Sequence, residues 1–291
     1  MLNMIVDAHT HVFSPRVIAE REEYCSSDAC FGLLYSNPAA RINSAEDLIH
    51  SMDENGIAKS VIQNIGWVSH DACLGSNDYI LESVAKHADR LTGFCAVQPL
   101  EPEKALNEII RCAKGGAKGI GELRPDIQGF DLANMSIMKP LMAEMAHRGM
   151  VVSLHASEPV GHNYTGKGNV TPDILFSFIS SFKEITVILA HFGGGLLFYE
   201  LMPEVKDVLT NTYYDTAAAP FLYQPAIYKV AMGIMGPGKM LFGSDWPLLV
   251  PQRVIEHIKA SGLSQAELDS ILGENAQRLF NQEENKISYG Q

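Results

Sequence analysis

Eight short apolar runs, each followed by a longer and mostly amphipathic segment, recur along the whole chain. They are Met4 to Ala8, Lys59 to Ile65, Leu91 to Val97, Ala117 to Glu122, Met150 to His155, Thr186 to His191, Thr212 to Asp215 and Met240 to Gly243, with boundaries set to about 2 to 4 residues. This alternation is the pattern of successive βα units, whose strands run parallel because every crossover returns the chain to the same end of the sheet. Eight such units close on themselves, so the expected fold is α/β: a single (β/α)8 TIM-like barrel domain spanning residues 1–291.

The segments between the runs carry helix stop signals. Ala45 to Asn55 precedes Gly56, Pro102 to Lys114 precedes Gly115 and Gly116, and Met135 to Arg148 precedes Gly149. Each glycine falls where a left-handed cap would end a helix. Met138, Met142 and Met145 follow helical spacing and read as core. Ser264 with Glu267 forms a capping box, which predicts an extra terminal helix pair over Ser264 to Phe280, packed on the barrel. Phe13 to Asn43 and Glu158 to Thr171 lack clear periodicity and are expected to be lid loops at the C-terminal face.

Composition excludes several classes. A net charge of -12 leaves no basic stripe for phosphates, so a small-molecule substrate is expected and nucleic acid is not. The five cysteines, Cys25, Cys30, Cys73, Cys95 and Cys112, form no even, repeated set, which favours a reducing compartment. No apolar stretch is long enough for a bilayer, and the start of the chain lacks the pattern of a secretory leader. The expectation is a cytoplasmic protein without a membrane partner, with homo-oligomerisation left open.

The chemistry is carried by side chains at the ends of the runs. His9 and His11 close the first run at i and i+2, a spacing that points both imidazoles to one side of a strand. Glu122, His155, His191 and Asp245 stand at or just past the ends of four other runs. Two histidines hydrogen-bonded in a loop would explain the first pair alone. Five strand ends with metal-competent side chains are better explained by one metal site at the barrel mouth. An all nitrogen and oxygen donor set suits an open catalytic ion, zinc first, with Mn, Fe or Co as alternatives, in one or two copies.

Other residues have competing explanations. Arg124 is placed to grip a substrate carboxylate or phosphate, or to pair with Glu122. His162, Tyr164 and Lys167 are candidates for substrate contact or members of a solvated loop. Asp215 is either a supporting residue behind the ligands or a helix cap, and Gly193 to Gly195 read as a tight turn rather than an anion cradle. His50, His87, His147 and His257 fall in helical patterns as surface residues, and His70 lies in a loop.

Val6-Asp7-Ala8-His9-Thr10-His11, Ser153-Leu154-His155, Leu189-Ala190-His191-Phe192-Gly193-Gly194 and Phe242-Gly243-Ser244-Asp245-Trp246-Pro247 together resemble the amidohydrolase superfamily, in its amidohydrolase-related branch, over nearly the whole chain. The resemblance implies a barrel with metal on His9, His11, His155 and Asp245, and His191 as a catalytic residue or a ligand of a second ion. Gly119-Ile120-Gly121-Glu122 resembles the fourth-strand glutamate of TatD-like metal-dependent hydrolases, where such a carboxylate bridges two ions.

The expected activity is therefore a metal-dependent hydrolase. Metal-activated water would attack an amide, ester or lactone carbonyl of a small substrate, anionic or neutral, with Asp245 moving the proton and His191 polarising the carbonyl. The alternative is a lyase using the same ligands: a metal-dependent, non-oxidative decarboxylase of an aromatic or unsaturated acid, as in relatives within the branch.

Overall fold

A computed structural model describes residues 4–280. Eight parallel strands follow one another in sequence order: β1 (Ile5–His11), β2 (Ile57–Gln63), β3 (Leu91–Cys95), β4 (Gly119–Leu123), β5 (Val151–Leu154), β6 (Val187–Leu189), β7 (Thr212–Asp215) and β8 (Met240–Leu241). Ala8 N donates to Phe242 O at 2.7 Å, His11 N to Trp246 O at 2.7 Å and Asp245 N to His9 O at 2.9 Å, so the last strand's extension closes against the first. The result is a TIM barrel, as the alternating pattern requires.

Two apolar layers hold it. Inside the lower barrel, Val6, Ala8, Val61, Phe94, Val151, Ile188 and Leu241 pack together, with Ala276 and Leu279 beneath them. Outside, the helices press apolar stripes onto the strands, and the methionine row Met138, Met142 and Met145 lies wholly in that layer. The expected capping box of Ser264 with Glu267 is present, and a second one joins Ser44 with Asp47. Gly56, at φ 68°, ends its helix in the left-handed region, which a side chain would disfavour.

Two expectations need revision. The terminal segment is one helical stretch with a π-turn at Ser270–Glu274 rather than a helix pair. The turn falls where Gly273 lies against the Met4 carbonyl, an approach that leaves no room for a Cβ. Phe13 to Asn43 is partly helical, with α1 (Pro15–Ala19), α2 (Arg21–Ser27) and α3 (Ala29–Tyr35) too short to show a period. Phe31 of α3 stacks on Trp67, with ring centroids 5.5 Å apart, and seats this excursion over the barrel mouth. By contrast, Glu158 to Thr171 has no regular element.

Candidate metal centre

Every donor singled out in the sequence comes to the same end of the barrel. His9 Nε2 and His11 Nε2 lie 3.1 Å apart, and Asp245 Oδ1 is 3.6 Å from the first and 3.3 Å from the second. Across the mouth, Glu122 Oε1 is 2.9 Å from His155 Nδ1 and 3.7 Å from His191 Nε2. Glu122 belongs to both halves: the donor atoms of His9, His11 and Glu122 lie within 4.8 Å of one another, as do those of Glu122, His155 and His191. All six residues are buried.

The outward nitrogens fix what the inward ones can do. His9 Nδ1 faces Asp215 Oδ2 at 2.8 Å, His11 Nδ1 the Gln63 carbonyl at 3.3 Å, His155 Nε2 the Lys167 carbonyl at 3.3 Å, and His191 Nδ1 the Ala217 carbonyl at 3.0 Å. Each partner only accepts, so each outward nitrogen carries the hydrogen and each neutral imidazole turns a lone pair inward. Lone pairs of His9 and His11 then oppose one another, and that of His155 opposes a carboxylate oxygen. Such an arrangement is repulsive unless a positive charge lies among the donors. The chemistry of the set therefore fits a divalent cation.

The electrostatics agree. Burial alone would push the His9 imidazolium down, but Asp215, helped by Asp245 and Glu122, raises its pKa to about 10, so without a cation a proton takes that place. Burial works against the Asp245 carboxylate, yet the His11 hydrogen bond and the charges of His9 and His11 hold its pKa at about 2. Glu122 behaves alike: burial opposes ionisation, and the imidazoles of His155, His9 and His191 hold it well below its ordinary range. Burial, with the charge of Arg124, lowers the pKa of His155 despite Glu122.

Two aspartates stand behind the candidate donors. Asp215 binds His9 through one oxygen and accepts from the backbone of His191 and Ala217, both at 3.0 Å, through the other. It thus ties the candidate donor on β1 to the one that follows β6. Sequence reasoning missed Asp7, whose Oδ1 accepts from Ser244 N at 2.9 Å and His9 N at 3.2 Å, linking the strands that carry the first and last donors. Its place in the first motif was a usable signal.

Above the donors opens a cavity of about 510 Å³. Its lining includes Arg124, His162 and Tyr164 as expected, and apolar side chains such as Leu34, Ile65, Phe221 and Leu248. Arg124 is buried and does not pair with Glu122: Nη2 donates to the Gly166 carbonyl at 2.7 Å and approaches Asp126 Oδ2 at 3.3 Å, while Nε has no partner among the described residues. Tyr164 donates to Glu158 Oε2 at 3.1 Å. Lys167 does not line the cavity; its Nζ donates to the Val160 and His162 carbonyls and braces the loop. Gly193 to Gly195 form the expected turn, at φ 63°, 58° and 94°, with Gly194 packed against the Ser157 backbone too closely for a side chain.

The chain belongs to the amidohydrolase family, whose model matches residues 6–282. It is 24% identical over 286 residues to a gamma-resorcylate decarboxylase of Polaromonas sp. (strain JS666), covering 80% of this chain and 86% of that one. It is 26% identical over 188 residues to a 6-methylsalicylic acid decarboxylase of Penicillium expansum, covering 53% and 57%. Among solved structures, 5-carboxyvanillate decarboxylase LigW from Sphingomonas paucimobilis superposes with a TM-score of 0.79 at 15% identity, covering 96% of this chain and 99% of that one. A dihydroxybenzoic acid decarboxylase from Polaromonas sp. JS666, with bound manganese and the inhibitor 2-nitroresorcinol, gives 0.71 at 19%, covering 96% and 97%.

These relatives overturn the expected hydrolase, since the curated proteins matched are decarboxylases. The physical reason for the error is that the donor set is common to both chemistries. It fixes where a cation sits and leaves the bond to be broken to the cavity above it. A divalent cation stands; zinc in particular finds no support, and manganese is the ion present in the related structure. Among the described residues no helix is long and apolar enough to cross a membrane.

Proposed function

We propose that the protein is a metal-dependent, non-oxidative decarboxylase of a hydroxylated aromatic acid. The observation that carries this reading is the family of the curated relatives, decarboxylases of hydroxybenzoic acids matching up to 80% of the chain. The cavity supports it, because aliphatic and aromatic walls with one buried arginine suit a planar ring bearing a carboxylate.

His9, His11, His155 and Asp245 would hold the cation, with Glu122 and His191 beside them. Nitrogen and oxygen donors without thiolate accept Mn²⁺, which the solved relative contains. When bound, the cation supplies a Lewis acid that anchors the substrate's oxygens and draws electron density from them.

The remaining steps fall to the chain's own residues. Arg124 grips the carboxylate beside His155. Asp245, ionised in its pocket, takes the proton of a ring hydroxyl next to the carboxylate. The phenolate electrons then push into the ring, and Asp245 returns that proton to the carbon bearing the carboxylate. The carbon–carbon bond breaks, its electron pair restores the aromatic ring, CO₂ leaves, and the product departs as a phenolate that is reprotonated by solvent. The apolar walls favour the neutral CO₂ over the carboxylate. His162 and Tyr164 border the ring's entry side from the lid loop.

Incubation of Mn²⁺-loaded protein with 2,6-dihydroxybenzoate and 2-hydroxybenzoate, followed by headspace CO₂ measurement, tests the reading. The expected result is CO₂ with one equivalent of the matching phenol. Metal-loaded protein that releases no CO₂ from a panel of hydroxybenzoic acids sinks it.

A further inference from the structure

The excursion between β1 and β2 brings one side chain to the cavity that has no place in the reading above. Tyr35, the last residue of α3, lines the same cavity as His11, Glu122, Arg124 and Asp245. Its ring is fixed on two sides, with centroids 5.0 Å from Phe13, edge to face, and 4.9 Å from Phe31. Its backbone is fixed as well, because Arg21 donates to the Tyr35 carbonyl from Nη2 at 2.6 Å and Nε at 2.9 Å. Phe13 lies two residues past His11, so the chain that carries the ligands also carries the tyrosine's seat.

The hydroxyl of this immobilised ring has no hydrogen-bond partner among the described residues, and the charges of Asp245, Glu122 and Arg124 all bear on it. Burial first, then the carboxylate of Asp245, pushes its pKa well above the ordinary tyrosine range, so the group keeps its proton and serves as a donor. A fixed, neutral donor needs an oxygen to receive it. The substrate's carboxylate already has Arg124. The oxygen left is the ring hydroxyl, whose proton Asp245 removes.

Building on the decarboxylase reading, we propose that Tyr35 donates a hydrogen bond to the ring oxygen beside the carboxylate and so selects 2-hydroxylated aromatic acids over unsubstituted ones. The bond strengthens as that oxygen gains negative charge, so it favours the step in which Asp245 takes the proton. No covalent bond forms at Tyr35, and it returns unchanged.

Calorimetric titration of Mn²⁺-loaded wild type and Tyr35→Phe with 2-hydroxybenzoate and with benzoate tests this, with CO₂ release followed in parallel so that the heat of turnover is subtracted from the heat of binding. Phenylalanine keeps both ring contacts, so metal content and melting temperature are expected to match wild type. The variant should bind 2-hydroxybenzoate roughly tenfold more weakly or worse, with benzoate changed less than about threefold, so that discrimination between the two collapses. Equal weakening of both ligands, or no change in either, overturns the assignment. Wild type that binds with the predicted preference but releases no CO₂ overturns the decarboxylase reading alone. Wild type that binds neither acid overturns both.

Discussion

The two ends of the barrel are made by the same strands and obey opposite rules. β1 places Val6 and Ala8 in the lower layer and His9 and His11 at the mouth; β5 places Val151 below and leads into His155 above. The floor is packed with apolar side chains and closed by Ala276 and Leu279. At the mouth are buried carboxylates and imidazoles with opposed lone pairs. His191, Ala218 and Asp245 have φ of 55°, 54° and 64°, a region that side chains rarely adopt. Apolar packing of the floor favours stability, whereas opposed donors and left-handed backbone at the mouth work against it.

The largest effect that would break this contrast lies at Asp245. Its left-handed backbone is one that asparagine tolerates better than most residues, so Asp245→Asn would remove the proton transfer proposed for it while keeping the turn. CO₂ release should fall by roughly 10²- to 10⁴-fold, with the melting temperature within a few degrees of wild type. A variant that melted early but turned over normally would show that Asp245 belongs with the structural end.

A smaller effect sharpens the same contrast through pH. In metal-free protein the His9 pKa is raised from 6.5 to about 10, so the folded state holds that proton more tightly than the unfolded chain. The stability this contributes is complete below pH 6.5 and is lost as pH rises towards 10. Metal loading displaces the proton and should remove this slope, while adding stabilisation of about 2.7 kcal/mol at a free ion concentration 100 times the dissociation constant. Melting curves of chelated and Mn²⁺-loaded protein between pH 6 and 10 check it. Parallel curves would mean that the cation does not sit against His9.

The sequence made the floor and the ligand positions legible for different reasons. Apolar periodicity marked the strands, and the residues just past each strand end were necessarily at the mouth, so His9, His11, Glu122, His155, His191 and Asp245 could be read together. The partners of Arg124 could not. Asp126 and the Gly166 carbonyl reach it through a loop whose path depends on tertiary packing, and Glu122, two residues away in sequence, turned out to face the imidazoles. Tyr35 was hidden for a similar reason: α3 is seven residues long, too short for a helical period, and its placement rests on Phe31 meeting Trp67. The reaction itself was the least legible, because attack by water and loss of CO₂ call for the same donors.

The smallest expected effect is at the floor, and it tests whether the two ends are energetically separate. Ile188 on β6 is buried in the lower layer, and the strand that carries it leads directly into His191. Ile188→Val removes one methylene and should cost about 1 kcal/mol, equivalent to roughly 2–4 °C in melting temperature for a domain of this size. If the strained turn at His191 is held by Asp215 and the Ala217 carbonyl, as its hydrogen bonds indicate, the lost methylene will not reach the mouth, and kcat/KM will stay within about twofold of wild type. A tenfold fall in kcat/KM would show instead that packing of the lower layer positions the His191 imidazole, and the two ends would have to be treated as one coupled unit.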